Sequence, residues 1–69
     1  MEVLITASRP QDVAREVEAS LLRGKVNRFV LRPVDHGGML DRERLGAARY
    51  AAGVQAVVEL EVAVAAQPR

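Results

Sequence analysis

His36 is the single histidine of the chain, and Asp35 stands directly before it with Gly37 and Gly38 behind. An imidazole beside a carboxylate on a glycine-containing loop is the pattern of an oriented general base. The same residues also read as an exposed turn, because side chains adjacent in sequence seldom bond usefully and no serine or cysteine nucleophile is placed beside them. His36-Gly37-Gly38 further suggests an anion turn, since the amides that open a following helix attract phosphate. The lysine of a P-loop is missing there, GxGxxG is missing too, and Asp41 at the head of the next helix would repel phosphate. Glu59 and Glu61 are two residues apart and therefore share one face of a strand. As an acid/base pair they would need one member buried or facing another acid. Otherwise they are solvated, or they bridge to arginines on a neighbouring strand.

Arg28, Arg32, Arg42, Arg44 and Arg49 are the candidates for a nucleic-acid-binding band. Arg28 and Arg32 share a strand face, and Arg42 and Arg49 stand two helical turns apart. Guanidinium forks match phosphate geometry. Asp41 and Glu43 interrupt the band, and one phenylalanine and one tyrosine offer little surface for base stacking. The alternative is a solvated, ion-paired face.

The elements that position these residues must come from 69 residues, which is one domain (residues 1–69) near the lower size limit for independent folding. Chains this short usually add disulfides, a metal or a second subunit. Cysteine is absent and histidine occurs once, so disulfides and thiolate sites are excluded and a metal centre is not expected. A second subunit is the remaining device. The net charge of +1 points to no class of partner, although the basic residues concentrate between Arg23 and Arg49. No run of 18 apolar residues is present, so no membrane span is expected. Met1-Glu2-Val3-Leu4 has no basic leader pattern, and the expectation is a cytoplasmic protein.

Residues 2–7 predict a strand covered on both faces. Ser8 with Gln11 predicts a capping box, Pro10 a first helical turn, and Val13, Val17 and Leu21 a core-facing stripe that ends at Gly24. Residues 25–34 predict a second strand, with Phe29 and Leu31 on one face and Val26, Arg28, Val30, Arg32 and Val34 on the other. Pro33 marks its end or an edge. Asp35-His36-Gly37-Gly38 is a turn. Asp41 then caps a second helix whose stripe is Leu45, Ala48 and Ala52. Gly46 inside it reads as room for close approach to the sheet, and Gly53 ends it. Residues 54–66 follow a period of two, with Val54, Ala56, Val58, Leu60, Val62 and Val64 in one apolar row and Gln55, Val57, Glu59, Glu61, Ala63 and Ala65 in the other. Such a strand would reach roughly 40 Å, about twice the usual length. The fold class that follows is α+β or α/β, a two-layer β-α-β-α-β sandwich. Its three-stranded sheet carries two helices on one face.

Met1-Glu2-Val3-Leu4, Ser8-Arg9-Pro10, Val13-Ala14 and Leu21-Leu22-Arg23 resemble, in order and spacing, the stage V sporulation protein S family. The resemblance covers about a third of the chain and rests on capping and core positions. It implies a small domain related to the Alba-like folds and, with that, nucleic-acid binding. The chain departs from the family pattern in its second helix, where Asp41-Arg42-Glu43-Arg44 replaces asparagine and lysine, and in having no separate fourth strand.

The expectation is thus a non-enzymatic domain without cofactor or metal. It forms a homo-oligomer, with a dimer favoured, through the open sheet face or through the far end of the last strand: Glu61, Val62, Ala63, Val64, Ala65 and Ala66. A nucleic-acid-binding module using the arginine band is the alternative.

Overall fold

Each helix lies between two strands, so consecutive strands run parallel and each helix is a crossover. The computed structural model describes residues 1–61. Strand β1 is Glu2–Ile5, helix α1 Pro10–Arg23, β2 Arg28–Leu31, helix α2 Met39–Ala52 and β3 Val57–Leu60. The sheet order is β1-β2-β3, parallel throughout. The register sets Val3, Phe29 and Val58 in one row and Ile5, Leu31 and Leu60 in the next. These rows face the helices and form the core with Val13, Val17, Val26, Ala48 and Ala52. The expected two-layer arrangement is therefore present, with the helices packed against one face of the sheet.

Several local expectations are corrected. Helix α1 begins at Pro10, which makes Arg9 its cap residue, and no side chain caps it. Ser8 stands one residue too early for the predicted capping box. Instead the Arg9 carbonyl accepts the Asp12 and Val13 amides, and Arg9 Nε donates to the Asp12 carboxylate. Val26 belongs to the core, not to the open face. Strand β2 starts only at Arg28, so the alternation that places Phe29 and Leu31 does not extend back to it. Gly46 is exposed with nothing within 4 Å of where a Cβ would stand, so it serves no close approach.

The last strand is the largest difference. Its described part is four residues long and pairs residue for residue with β2. Gly53 takes φ +60°, and the Gln55 amide donates to the Ala52 carbonyl. That turn uses up Val54, Gln55 and Ala56, and Val54 is fully exposed. Period-two alternation cannot separate such a turn from the strand it leads into.

Candidate functional site

The carboxyl ends of parallel strands are the usual place for chemistry in sheets of this kind. Here that end is filled by the protein's own side chains. Arg44, on the inner side of α2, is completely buried. Its Nε donates to the Ala7 carbonyl beyond β1 at 2.9 Å. Its Nη1 donates to the Arg32 carbonyl beyond β2 and to Asp41 Oδ1, both at 2.8 Å. One guanidinium thus ties two strand ends to the helix that crosses them. Its Nη2 has no partner among the described residues.

Asp41 is equally buried and is not the cap that the sequence suggests. Helix α2 starts three residues earlier than that cap would set it, at Met39 behind Gly38, which turns Asp41 inward. Its carboxylate accepts the amides of Val34, Asp35 and Gly37. Burial pushes this carboxyl up, but the donated amides of Val34, Gly37 and Asp35 outweigh burial and hold it well below the usual carboxylate range. The capping task falls to Asp35, which accepts the amides of Gly38, Leu40 and Asp41. Asp35 thereby occupies the helix N-terminus that the sequence offers to phosphate, and Asp41 accepts from the Gly37 amide of the turn before it. His36 is exposed at φ +55°, in the left-handed region, and Asp35 faces the helix amides rather than the imidazole. The paired-base geometry is not assembled.

The open face of the sheet carries the remaining candidates. By register, Glu2, Arg28 and Val57 form one row, and Leu4, Val30 and Glu59 the next. Arg32 and Glu61 extend the grid, since the Arg32 amide bonds to the Ile5 carbonyl and the Glu61 amide to the Leu31 carbonyl. Arg28 contacts Glu59 and, at 3.9 Å, Glu2. Arg32 lies 3.5 Å from Glu61. Glu59 and Glu61 are thus partners of arginines, not a pair of acids. All five charged side chains stay roughly half exposed, and Leu4 and Val57 are 43% and 57% exposed.

The five arginines of the band are not brought together. Arg28 and Arg32 lie on the open face, each beside a carboxylate. Arg42 and Arg49 are exposed on α2, in the other layer. Arg44 leaves the surface altogether, a correction whose cause is its three inward bonds. Of the residues proposed for self-association, Glu61 is exposed on the open face, while Val62, Ala63, Val64, Ala65 and Ala66 lie outside the described residues.

The Asp41–Arg44 pair escaped the sequence reading, yet a signal exists. The apolar spacing predicts Leu45, Ala48 and Ala52 as the inner stripe of α2, whereas the buried positions are Asp41, Arg44, Ala48 and Ala52. These are spaced three, four and four apart, a helical face that extends to the charged residues. Among the described residues no group of three histidine, aspartate or glutamate side chains could hold a metal, and no helix is long and apolar enough to cross a membrane. No family model, curated protein or solved structure matches the chain.

Proposed function

We propose that this domain is a non-enzymatic module that associates with a second copy of itself through the open face of its sheet. The observation that carries the reading is an all-parallel sheet with, among the described residues, helices on one side only. Parallel sheets occur almost only with both faces covered. Here the uncovered face presents Leu4, Val30 and Val57 among ion-paired side chains. A chain of 69 residues also gains from burying surface that it cannot bury alone.

The face is small. Three strands spaced ~4.8 Å apart and about six residues long span roughly 300 Å² per copy. Over two copies that is roughly 600 Å², below the ~1,200 Å² where standard specific interfaces begin, so the association is a weak one that shows only toward the top of the concentration range. Light scattering and sedimentation between roughly 10 µM and 1 mM should therefore show mass rising from monomer toward dimer. Leu4→Glu, on an exposed position of that face, should hold the protein monomeric with its circular dichroism unchanged. A wild-type chain that is monomeric over the whole range removes the proposal.

A further inference from the structure

We infer that the end of the domain where both helices finish docks on an anionic lipid surface, with Leu22, Tyr50 and Val54 entering the headgroup layer and Arg23, Lys25 and Arg49 meeting its phosphates. Both helices run opposite to the parallel strands, so the last turns of α1 and α2 stand at the end where the strands start. Eight large apolar side chains are exposed among the described residues, and four of them, Met1, Leu22, Tyr50 and Val54, belong to this end. Leu22 is 89% exposed and Tyr50 91%, so neither packs on its own helix or on the other. One hollow there is lined by Met1, Leu21, Lys25 and Gln55, and a second by Leu21, Leu22, Ala51 and Gln55. Leu21 and Gln55 border both, which gathers Met1, Leu22 and Lys25 around one depression. Tyr50 and Val54 adjoin its lining residues Ala51 and Gln55 in the chain. Single exposed hydrophobics need no partner, whereas a group of them rimmed by polar residues marks an interaction site.

The charges at this end identify the partner. Arg23, Lys25, Arg42 and Arg49 are the described cations with no carboxylate within 4 Å, and all but Arg42 lie here, exposed. Arg23 and Arg49 stand in the last turns of their helices, where a cation offsets the dipole. Two helix ends supply about one negative charge between them, at ~0.5 each, so three cations exceed what the dipoles call for. The neighbouring acids are Glu2, which lies 3.9 Å from Arg28, and Glu18, one turn back from Leu22 on α1. That turn sets Glu18 about 5.4 Å farther from a surface on which the helices stand end-on. A nucleic-acid backbone would take the cations but leave Met1, Leu22 and Val54 in water, and these offer no plane for base stacking. An anionic bilayer accepts both kinds of side chain. Each base gains roughly a factor of five near its surface, tyrosine concentrates at headgroup level, and aliphatic side chains reach the acyl boundary. The open sheet face is a different surface, so this inference stands apart from the self-association proposed above.

Flotation of the untagged full chain with lipid vesicles at low salt tests the inference. The chain should float with vesicles of phosphatidylcholine and phosphatidylglycerol, and not with phosphatidylcholine alone. Lys25→Gln should weaken binding about fivefold, and the triple change Arg23→Gln, Lys25→Gln and Arg49→Gln about 100-fold. Leu22→Gln with Val54→Gln should weaken it about tenfold or more. These positions are exposed, and circular dichroism checks that each variant folds. Arg42→Gln, at the opposite end of α2, should leave binding nearly unchanged. Tyr50 is the only tyrosine and tryptophan is absent, so its emission reports contact directly. Phosphatidylcholine brominated on its acyl chains, added to the mixed vesicles, should quench it. Failure to float with the mixed vesicles overturns the inference, and so does retention on duplex DNA in its place. Equal binding to neutral vesicles removes the role of the cations. Loss of binding in Arg42→Gln as large as in Lys25→Gln overturns the end-on orientation, and unquenched Tyr50 emission overturns the insertion.

Discussion

Replacing Arg44 by methionine tests whether one buried guanidinium holds the carboxyl end of the sheet. Methionine keeps much of the length and volume of the arginine stem and removes only its donors. Arg44 makes three bonds, to the carbonyls of Ala7 and Arg32 and to the Asp41 carboxylate. Their loss leaves two carbonyls at strand ends without this donor and an acid in the core without its counter-ion. Breaking a buried pair from one side costs about 3–5 kcal/mol. A domain of this size has a total stability of roughly 3–10 kcal/mol at ~0.05–0.15 per residue. Arg44→Met should therefore lower the urea midpoint by a third or more, or leave a large unfolded fraction in buffer. Urea unfolding followed by circular dichroism at 222 nm supplies the value, with the slope m checked for constancy. A double-mutant cycle with Asp41→Asn sharpens it: the double variant should lose less than the sum of the singles, because the second change removes the charge that the first strands. A loss below about 1 kcal/mol in Arg44→Met, the range of an ordinary surface change, would refute the reasoning.

Asp41 and Gly46 give two further outcomes. Asp41 titrates lower in the folded chain than in the unfolded one, so its contribution is complete above the unfolded carboxylate value of about 4 and is lost as pH falls further. Stability of the wild type should drop below pH 4 more steeply than that of Asp41→Asn, and parallel urea curves at descending pH measure this; equal slopes would remove Asp41 from the acid response. Gly46 lies within α2, exposed and with open space where a Cβ would stand. Gly46→Ala should raise stability by ~1 kcal/mol, read as an increase in Tm, and a decrease would mean that the glycine has a contact partner in the folded protein.

The elements that the sequence makes legible are those whose side chains alternate between two solvents. Phe29 and Leu31 face the helices while Arg28, Val30 and Arg32 face outward, because strand parity decides both at once. Val13 and Val17 are buried for the corresponding helical reason. Legibility ends where one residue type serves two purposes. An aspartate near a helix start reads as a cap, and Asp35 and Asp41 both qualify by type. Which one caps depends on a three-residue shift in where α2 begins, set by the loop after β2. Asp41 then becomes a buried acceptor of three amides. Arginine has the same ambiguity. Arg42 and Arg44 differ by two positions, about 200° around a helix, so one is at the surface and the other in the core. Charge alone groups them, and helical phase separates them.

The position of Arg44 also bears on where this domain can act. Parallel sheets bind small ligands outside the strand carboxyl ends, in the crevice that opens where strand order reverses and helices diverge to opposite faces. With the order β1-β2-β3 and both helices on one face, no reversal occurs among the described strands. The strand ends themselves are engaged: their carbonyls accept from Arg44, and the amides of the loop before α2 donate to Asp35 and Asp41. An apolar residue in place of Arg44 could fill the volume but could not satisfy those carbonyls, which have passed beyond the ladder that would otherwise pair them. The charge is thus a consequence of ending two short parallel strands against one helix. With that end closed by internal bonds, the surface on which the proposed self-association depends is the sheet face that no described helix covers, where Leu4, Val30 and Val57 lie between pairs of opposite charge.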